Sequence, residues 1–263
     1  KVDEMDLGIT GKTALLCGSS RGLGKACALA LAHEGVNVTI NGLDKARLEA
    51  AAQEIRDATG VTVTAVQADQ STEDGRIRLL EACPNPDILV NNNSGPPPRD
   101  FRECSHDDYI QAIEMNMLAA TMMIKGVLSH MEEQKFGRIV NITSAMVKHP
   151  FQYMGLSTAA RCGLTALCKA LSLQVAKNNV TINNLLPERI DTDRQIFMAE
   201  DRAKAEGITY EQARADQVKS IAANRLGLPE EFGATCAFVC SSQASFMSGQ
   251  NISLDGGSNP GIL

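Results

Sequence analysis

At 263 residues the chain exceeds one average domain but falls within the range that α/β folds fill as a single unit, so one domain over residues 1–263 is expected. Its 44% hydrophobic and 21% charged residues, with no low-complexity tract, exclude a disordered or fibrous protein. A net charge of −6 without a basic run gives no electrostatic reason to approach nucleic acid or anionic lipid, and no apolar run approaches the length of a membrane span, so neither partner is expected.

The first ten residues are acidic and lack the apolar stretch of a signal peptide, which makes the cytoplasm the expected location. From there short apolar runs alternate with longer amphipathic ones to the end of the chain. This rhythm predicts βαβ units around a parallel sheet buried on both faces. The strands are expected at 13–17, 37–41, 61–67, 88–91, 138–142, 181–186 and 251–254, and the helices at 22–34, 44–59, 72–82, 106–134, 155–177 and 230–242. Right-handed crossovers turn this order into a doubly wound Rossmann fold, a seven-stranded parallel sheet with helices on both faces. One segment breaks the rhythm: 193–224 is charged and helix-prone, too long for a simple connection, and reads as a helical substrate lid. The eight cysteines (Cys17, Cys27, Cys83, Cys104, Cys162, Cys168, Cys236, Cys240) show no CxxC pair and no metal-type spacing, and read as reduced core residues.

The first strand runs into Cys17-Gly18-Ser19-Ser20-Arg21-Gly22-Leu23-Gly24, which opens a helix. Glycines suit such a turn because the chain bends sharply, the backbone must approach a pyrophosphate closely, and the helix must pack tightly on the strand. The spacing therefore points to a dinucleotide held at Gly18, Ser20, Arg21, Gly22, Leu23 and Gly24.

Further segments follow in order across nearly the whole chain, and with the glycine turn they resemble the short-chain dehydrogenase/reductase family. Leu89-Val90-Asn91-Asn92-Asn93-Ser94-Gly95 is similar to its LVNNAG segment, and Arg138 to Ser144 to the strand that ends in its catalytic Ser. Pro187 with Thr192 resembles its nicotinamide segment, and the stretch from Ser248 to Gly257 its last strand. The resemblance implies that Asp69 contacts adenine, that Asn91, Pro187, Ile190 and Thr192 belong to the cofactor site, and that Asn116 and Ser144 belong to the catalytic set. Cys17, Asn93-Ser94 and Glu188 depart from the family pattern, and Glu188 is expected to bring a carboxylate beside the nicotinamide. At the end of the second strand Asn41-Gly42-Leu43-Asp44 supplies neither the acidic residue that bonds a ribose 2′-OH nor a basic one for a 2′-phosphate. Arg21 either pairs such a phosphate or is a solvated loop charge, and the balance favours NADP(H) over NAD(H).

The family moves hydride between nicotinamide and a carbonyl or alcohol carbon, a Tyr phenol supplying the proton and a Lys one helical turn on lowering its pKa. The positions matching that Tyr and Lys are Ser157 and Arg161, so the tetrad reads Asn116, Ser144, Ser157, Arg161. A subgroup with this Ser-xxx-Arg pattern carries a stretch that Gly95-Pro96-Pro97-Pro98 resembles. Arg161 can hold ribose hydroxyls and keep a positive charge but cannot give up a proton. Ser157, an alkyl alcohol, reads as a poor replacement for a phenol, leaving the proton to water or to Tyr153. Tyr153 is either a second proton carrier or a packing aromatic at the mouth or at a subunit interface. His149 and Lys148 read as solvated loop residues. The resemblance implies an oxidoreductase acting on a ketone or secondary alcohol, like the family's 3-oxoacyl reductases and sugar or polyol dehydrogenases. The lost Tyr and Lys leave open a non-catalytic NAD(P)(H)-binding sensor or structural paralogue. It also implies a homo-tetramer joined through the helices 106–134 and 155–177, with Ala159, Cys162 and Ala166 facing a neighbour.

Overall fold

A computed structural model describes residues 5–262; residues 1–4 of the acidic N-terminal segment lie outside the described residues. The strands are β1 (Thr13–Leu16), β2 (Asn37–Gly42), β3 (Val63–Gln67), β4 (Ile88–Asn91), β5 (Gly137–Ile142), β6 (Val180–Pro187) and β7 (Asn251–Leu254). They form one sheet in the order β3-β2-β1-β4-β5-β6-β7, and every pairing is parallel. Between the pairs β1–β2 and β1–β4 the winding reverses, which opens a crevice at the carboxyl ends of those strands.

The inner strands are buried on both faces because alternate residues serve different layers, while the edge strands β3 and β7 are only partly covered. Ala14 and Leu16 of β1 join a core with Leu31, Ile55 and Phe232, whereas Leu15 and Cys17 join the opposite core with Met123, Ile139 and Leu164. The first core lies under the helices α1 (Gly22–His33), α2 (Lys45–Thr59) and α9 (Pro229–Cys240). The second lies under α3 (Glu73–Ala82), α5 (Ala119–Glu133) and α6 (Gly155–Val175). Helix boundaries follow local chemistry. Asp44 caps α2 by accepting from the Arg47 N–H, Gly60 ends it at φ 72, and Ser105 with Asp108 forms a capping box on α4 (His106–Ile113).

The helix expected over 106–134 is continuous but wound in two α segments around a π turn at Glu114–Leu118 that contains Asn116. The 193–224 segment forms α7 (Asp193–Glu206) and α8 (Tyr210–Val218), separated at Gly207, whose φ is 67. Six cysteines are buried as expected, but Cys104 and Cys162 are only half-buried, because each lies where a helix or turn meets solvent rather than the sheet.

One polar feature crosses the apolar sheet. Asn91, Asn141, Asn184 and Asn251 sit in register on β4 to β7. Asn91 Nδ2 donates to Asn141 Oδ1 (2.9 Å), Asn141 to Asn184 (3.0 Å) and Asn184 to Asn251 (2.8 Å). Each amide is thus bonded to its neighbour across the ladder, and the Asn91 Oδ1 at its start is buried without a partner.

Candidate active site

A cleft of about 830 Å³ opens at the reversal point and runs from the Gly18–Gly24 turn to Ser144, Ser157 and Arg161. The turn has the backbone its glycines were expected to provide. Gly18 and Gly22 both have φ 55; a Cβ on Gly18 would lie 2.7 Å from the Asn92 carbonyl oxygen, and one on Gly24 would run into the Gly18 carbonyl. Gly22 differs, since a Cβ there would meet only Thr192 at 3.8 Å, so its open side faces the cleft. A cradle of backbone that a side chain would fill, at the start of a helix, fits the pyrophosphate of a dinucleotide.

Three residues that sequence reasoning passed over hold this turn. Asn41, buried at the end of β2, accepts from the Gly18 N–H (3.1 Å) and donates to the carbonyls of Val66 and Ala68. Asn92 donates to the Gly18 carbonyl (2.8 Å), and Gln70 donates to the Asn92 carbonyl (2.6 Å). The signal was an asparagine closing the buried run of β2, where an apolar residue was due.

At the far end of the cleft lie Ser20, Arg21, Leu43, Arg47 and Asp69. Arg21 is largely exposed, with only a loose 3.9 Å approach to Asp193, and Arg47 stands 4.0 Å from Asp44. A Cβ on Gly42 would lie 2.7 Å from Ser20 Oγ, so Ser20 occupies the space an acidic side chain at the end of β2 would need. Asp69 accepts from the N–H and the hydroxyl of Ser71. Gly22, Leu23, Pro187, Ile190 and Thr192 also line the cleft. Asn91 does not: its place in the sheet ladder turns its amide into the core, and Asn92, Asn93 and Ser94 form the wall instead.

The reacting end is built around Arg161, buried on α6. Its Nε donates to Ser157 Oγ (3.2 Å), Nη1 to the carbonyls of Ile142 and Thr143 (3.0 Å each) and Nη2 to the carbonyl of Asn93 (3.3 Å). All four acceptors are neutral. Burial, with the charge of Arg194 added, pulls its pKa down to about 10. The expectation that its fork serves ribose hydroxyls is corrected in part, since carbonyls at the ends of β4 and β5 take most of its donors. Ser157 is buried yet lines the cleft, and because its oxygen accepts from Arg161 its own hydrogen is available to donate. Ser144 lines the same wall, its oxygen accepting from the Met146 N–H (3.2 Å).

Asn116 stands one layer back. The π turn aims it at the loop after β4, where its Nδ2 donates to the Ser94 carbonyl (2.9 Å) while its Oδ1 is buried without a partner. Gly95 lies where these groups converge: a Cβ on it would be 3.4 Å from Ser157 Oγ, 3.5 Å from Arg161 Nη2 and 3.7 Å from Asn116 Oδ1.

Two expected neighbours of the reacting end are elsewhere. Tyr153 has φ 62 in the turn before α6 and is 58% exposed outside the cleft; that left-handed turn carries its ring toward solvent, and Met154 lines the cleft in its place. Glu188 faces the other way from β6. It pairs with Arg189 and borders a separate cavity of about 210 Å³ with Arg225, Glu231 and Asp255, so it brings no carboxylate to the cleft.

Comparison with known proteins places this geometry among oxidoreductases. A sequence profile described as enoyl-(acyl carrier protein) reductase matches residues 18–259. NADPH-dependent reductase BacG of Bacillus subtilis (strain 168) is 33% identical over 256 residues, covering 95% of this chain and 99% of that protein. 3-Oxoacyl-(acyl-carrier-protein) reductase FabG of Aquifex aeolicus (strain VF5) is 31% identical over 258 residues, covering 96% and 99%. L-sorbose reductase of Gluconobacter frateurii, solved with NADPH and L-sorbose, superposes with a TM-score of 0.94 at 28% identity, covering 98% of this chain and 100% of that one.

Proposed function

The chain belongs to the short-chain dehydrogenase/reductase family, and on that premise we propose that it is an NADP(H)-dependent oxidoreductase interconverting a ketone and a secondary alcohol through an atypical tetrad. The observation that carries this reading is the continuity of one cleft from the glycine turn to Ser144, Ser157 and Arg161. NADP(H) supplies the hydride when bound. The backbone from Gly18 to Gly24 holds its pyrophosphate, with Leu23 closing the turn and Asp69 toward the adenine, while Pro187, Ile190 and Thr192 border its nicotinamide end. Ser20 over Gly42 removes the place for a carboxylate that would select NAD(H), and Arg21 and Arg47 offer cations to a 2′-phosphate.

The chain's own chemistry lies at the substrate oxygen. Ser144 and Ser157 present hydroxyls to it, and Ser157, polarised by the guanidinium behind it, passes on a proton drawn from water. Arg161 stays charged and fixes the ends of β4 and β5, and Asn116 sets the Ser94–Gly95 strip from behind. Arg194, Gln195 and Phe197 of α7 line the cleft, which supports a lid at 193–224. The rival reading, a cofactor-binding sensor without turnover, draws on the absence of a phenol from the cleft. NADPH consumption against a panel of ketones separates the two: binding without turnover on any of them favours the sensor.

A homo-tetramer is supported by the outward positions of Ala159, Cys162 and Ala166, with Leu173 74% exposed on the same helix. A monomeric mass by light scattering at micromolar concentration overturns it. Eight unpaired thiols suit a reducing compartment such as the cytoplasm.

A further inference from the structure

The strip of chain from Pro187 to Phe197 leaves β6, enters α7 and forms one side of the cleft, with Arg189, Thr192 and Gln195 in the lining. Among the described residues none of α8 lines the cleft, yet one residue of α8 holds that strip from behind. Gln217 does so with three atoms. Its main-chain carbonyl accepts from Arg189 Nη1, its Nε2 donates to the Gln195 carbonyl (2.9 Å), and its Oε1 accepts from Arg214 Nη1 (3.1 Å). Arg214 in turn donates through Nη2 to Asp191 Oδ1 (2.8 Å). Arg189 and Gln195 of the lining, and Asp191 between them, are therefore tied to a single turn of α8.

These ties fall where the wall lacks others. The base of the strip is held by backbone: the Asp191 N–H donates to the Gly227 carbonyl (2.8 Å), and the Gly227 N–H to the Arg189 carbonyl (3.2 Å). The first turn of α7 is not. Beyond bonds within the helix, its one other polar contact among the described residues is the loose 3.9 Å approach of Asp193 to Arg21, and Thr192 at its N-cap makes no side-chain cap bond. Arg189 is strained as well. Its φ of 49 puts a non-glycine residue in the left-handed region, and Glu188 and the Gln217 carbonyl pin its side chain there.

α8 gives these bonds a firm base. Thr209 and Gln212 form a capping box, Ala213 is fully buried, and Asp216 accepts from Arg202 of α7 (2.9 Å). Arg202 and Asp216 thus clamp the α7–α8 hairpin midway, while Gln195 and Gln217 clamp its open end, which is the end at the cleft. An uncapped helix start that forms part of a binding wall opens at low cost unless something ties it back, and here the tie is one side-chain amide.

We propose that Gln217 is a positioning residue for the carbonyl substrate: from outside the cleft it fixes the first turn of α7 and the Arg214–Asp191 pair, and so holds the wall against which the substrate binds. The proposal rests on the reading that the cleft takes NADP(H) and a ketone or alcohol. Gln217 acts on binding and not on the proton, because Ser144, Ser157 and Arg161 stand at the end of β5 and on α6, which none of these bonds reaches.

Two variants test it. Gln217→Met keeps the length of the side chain and the main-chain bond to Arg189 but loses both amide bonds, whereas Gln217→Glu keeps an acceptor for Arg214 and loses the donor to Gln195. With NADPH and a ketone that the parent reduces, both are expected to raise the ketone KM about fivefold or more, with kcat within about twofold and the melting temperature within about 2 °C. Hydrogen exchange of the 196–199 amides should quicken about tenfold in both, without any ligand. Gln217→Met combined with Arg214→Met should raise KM by less than the product of the single effects, since the two side chains act as one unit. A parental KM or parental exchange in Gln217→Met overturns the proposal, as does a kcat that falls while KM holds. So does a Gln217→Glu variant with parental KM, since the bond to Gln195 then counts for nothing. A parent that reduces no ketone strikes the enzymatic reading instead, and exchange at 196–199 still decides whether Gln217 holds the wall.

Discussion

The Nε of Arg161 donates to the hydroxyl oxygen of Ser157 at 3.2 Å, within one turn of α6. This contact decides what the serine can do: an oxygen that accepts from a cation has a more acidic hydrogen, and that hydrogen is free to point into the cleft. On the proposed reading the two residues together form the proton donor.

Ser157→Ala is expected to lower kcat by about 100-fold with little change in NADPH affinity, the loss typical of a group that moves a proton in the transition state. Tyr153→Phe should stay within about twofold of the parent, because its ring lies outside the cleft. Steady-state rates decide it: a Tyr153→Phe variant as damaged as Ser157→Ala means that the phenol reaches the substrate after all.

Arg161 should matter to folding as well as to turnover. Arg161→Met leaves the carbonyls of Ile142, Thr143 and Asn93 without their donors in a buried place. The cost is about 2–4 kcal/mol, since unpaired buried polar groups lose 1–3 kcal/mol each and part is recovered by relaxation. For a chain of this size that corresponds to a melting temperature lower by roughly 5–15 °C. Calorimetry checks it; a change under about 2 °C denies the staple.

The pH dependence follows from the same residue. Its pKa in the folded chain is about 10, below the ordinary arginine value, so the unfolded chain holds the extra proton at higher pH. Burying the charge therefore costs its full amount below pH 10, and that cost is relieved only as pH rises through 10 and beyond. Between pH 6 and 9 Arg161 keeps its proton, and kcat should show no limb belonging to it. Ser157→Tyr with Arg161→Lys should introduce a limb in that range, because a phenol beside an ammonium titrates closer to neutrality than an alkyl alcohol. Initial rates across the range test both; a parent profile that falls with an apparent pKa of 7–8 and flattens in Arg161→Met contradicts the assignment.

Gly22→Val is expected to abolish NADPH binding while the protein still folds. A side chain there has room on the protein side, the nearest contact being Thr192 at 3.8 Å, and its main penalty is the left-handed backbone, about 1–2 kcal/mol. What it blocks is the approach of a phosphate to the open face of the turn. Calorimetric titration measures the binding and circular dichroism the fold; a folded Gly22→Val variant with parental affinity removes the cofactor from this turn.

Arg21→Ala with Arg47→Ala should weaken NADPH tenfold or more and NADH by less than threefold, since a 2′-phosphate is all that separates the two cofactors. Equal losses for both contradict the preference.

The sheet was legible in the sequence because its inner strands are buried on both faces and rich in apolar residues, with Ile88–Asn91 and Asn251–Leu254 found to the residue. β3 starts two residues later than its apolar run because Thr62, in the turn before it, bonds Asn37 instead. The glycine turn was legible because it needs a residue type that nothing else replaces. What a side chain faces was harder to see. Glu188 and Arg189 are neighbours at a strand end, and only the path of the chain beyond β6 turns one to the second cavity and the other to the cleft. The π turn at Asn116 leaves the apolar spacing of its helix almost intact, so no periodicity discloses it. Arg161 showed a charge in the sequence; that backbone carbonyls occupy it depends on how β4 and β5 end.

The asparagine ladder ties completion of the sheet to β7. Asn91 and Asn141 can pair as soon as β4 and β5 meet, but Asn184 donates to Asn251, which leaves the ribosome more than sixty residues later. Until then the Nδ2 of Asn184 has no partner in the ladder and is left to water at the edge of β6. Emergence of β7, and not of the glycine turn, is what completes the ladder in a nascent chain.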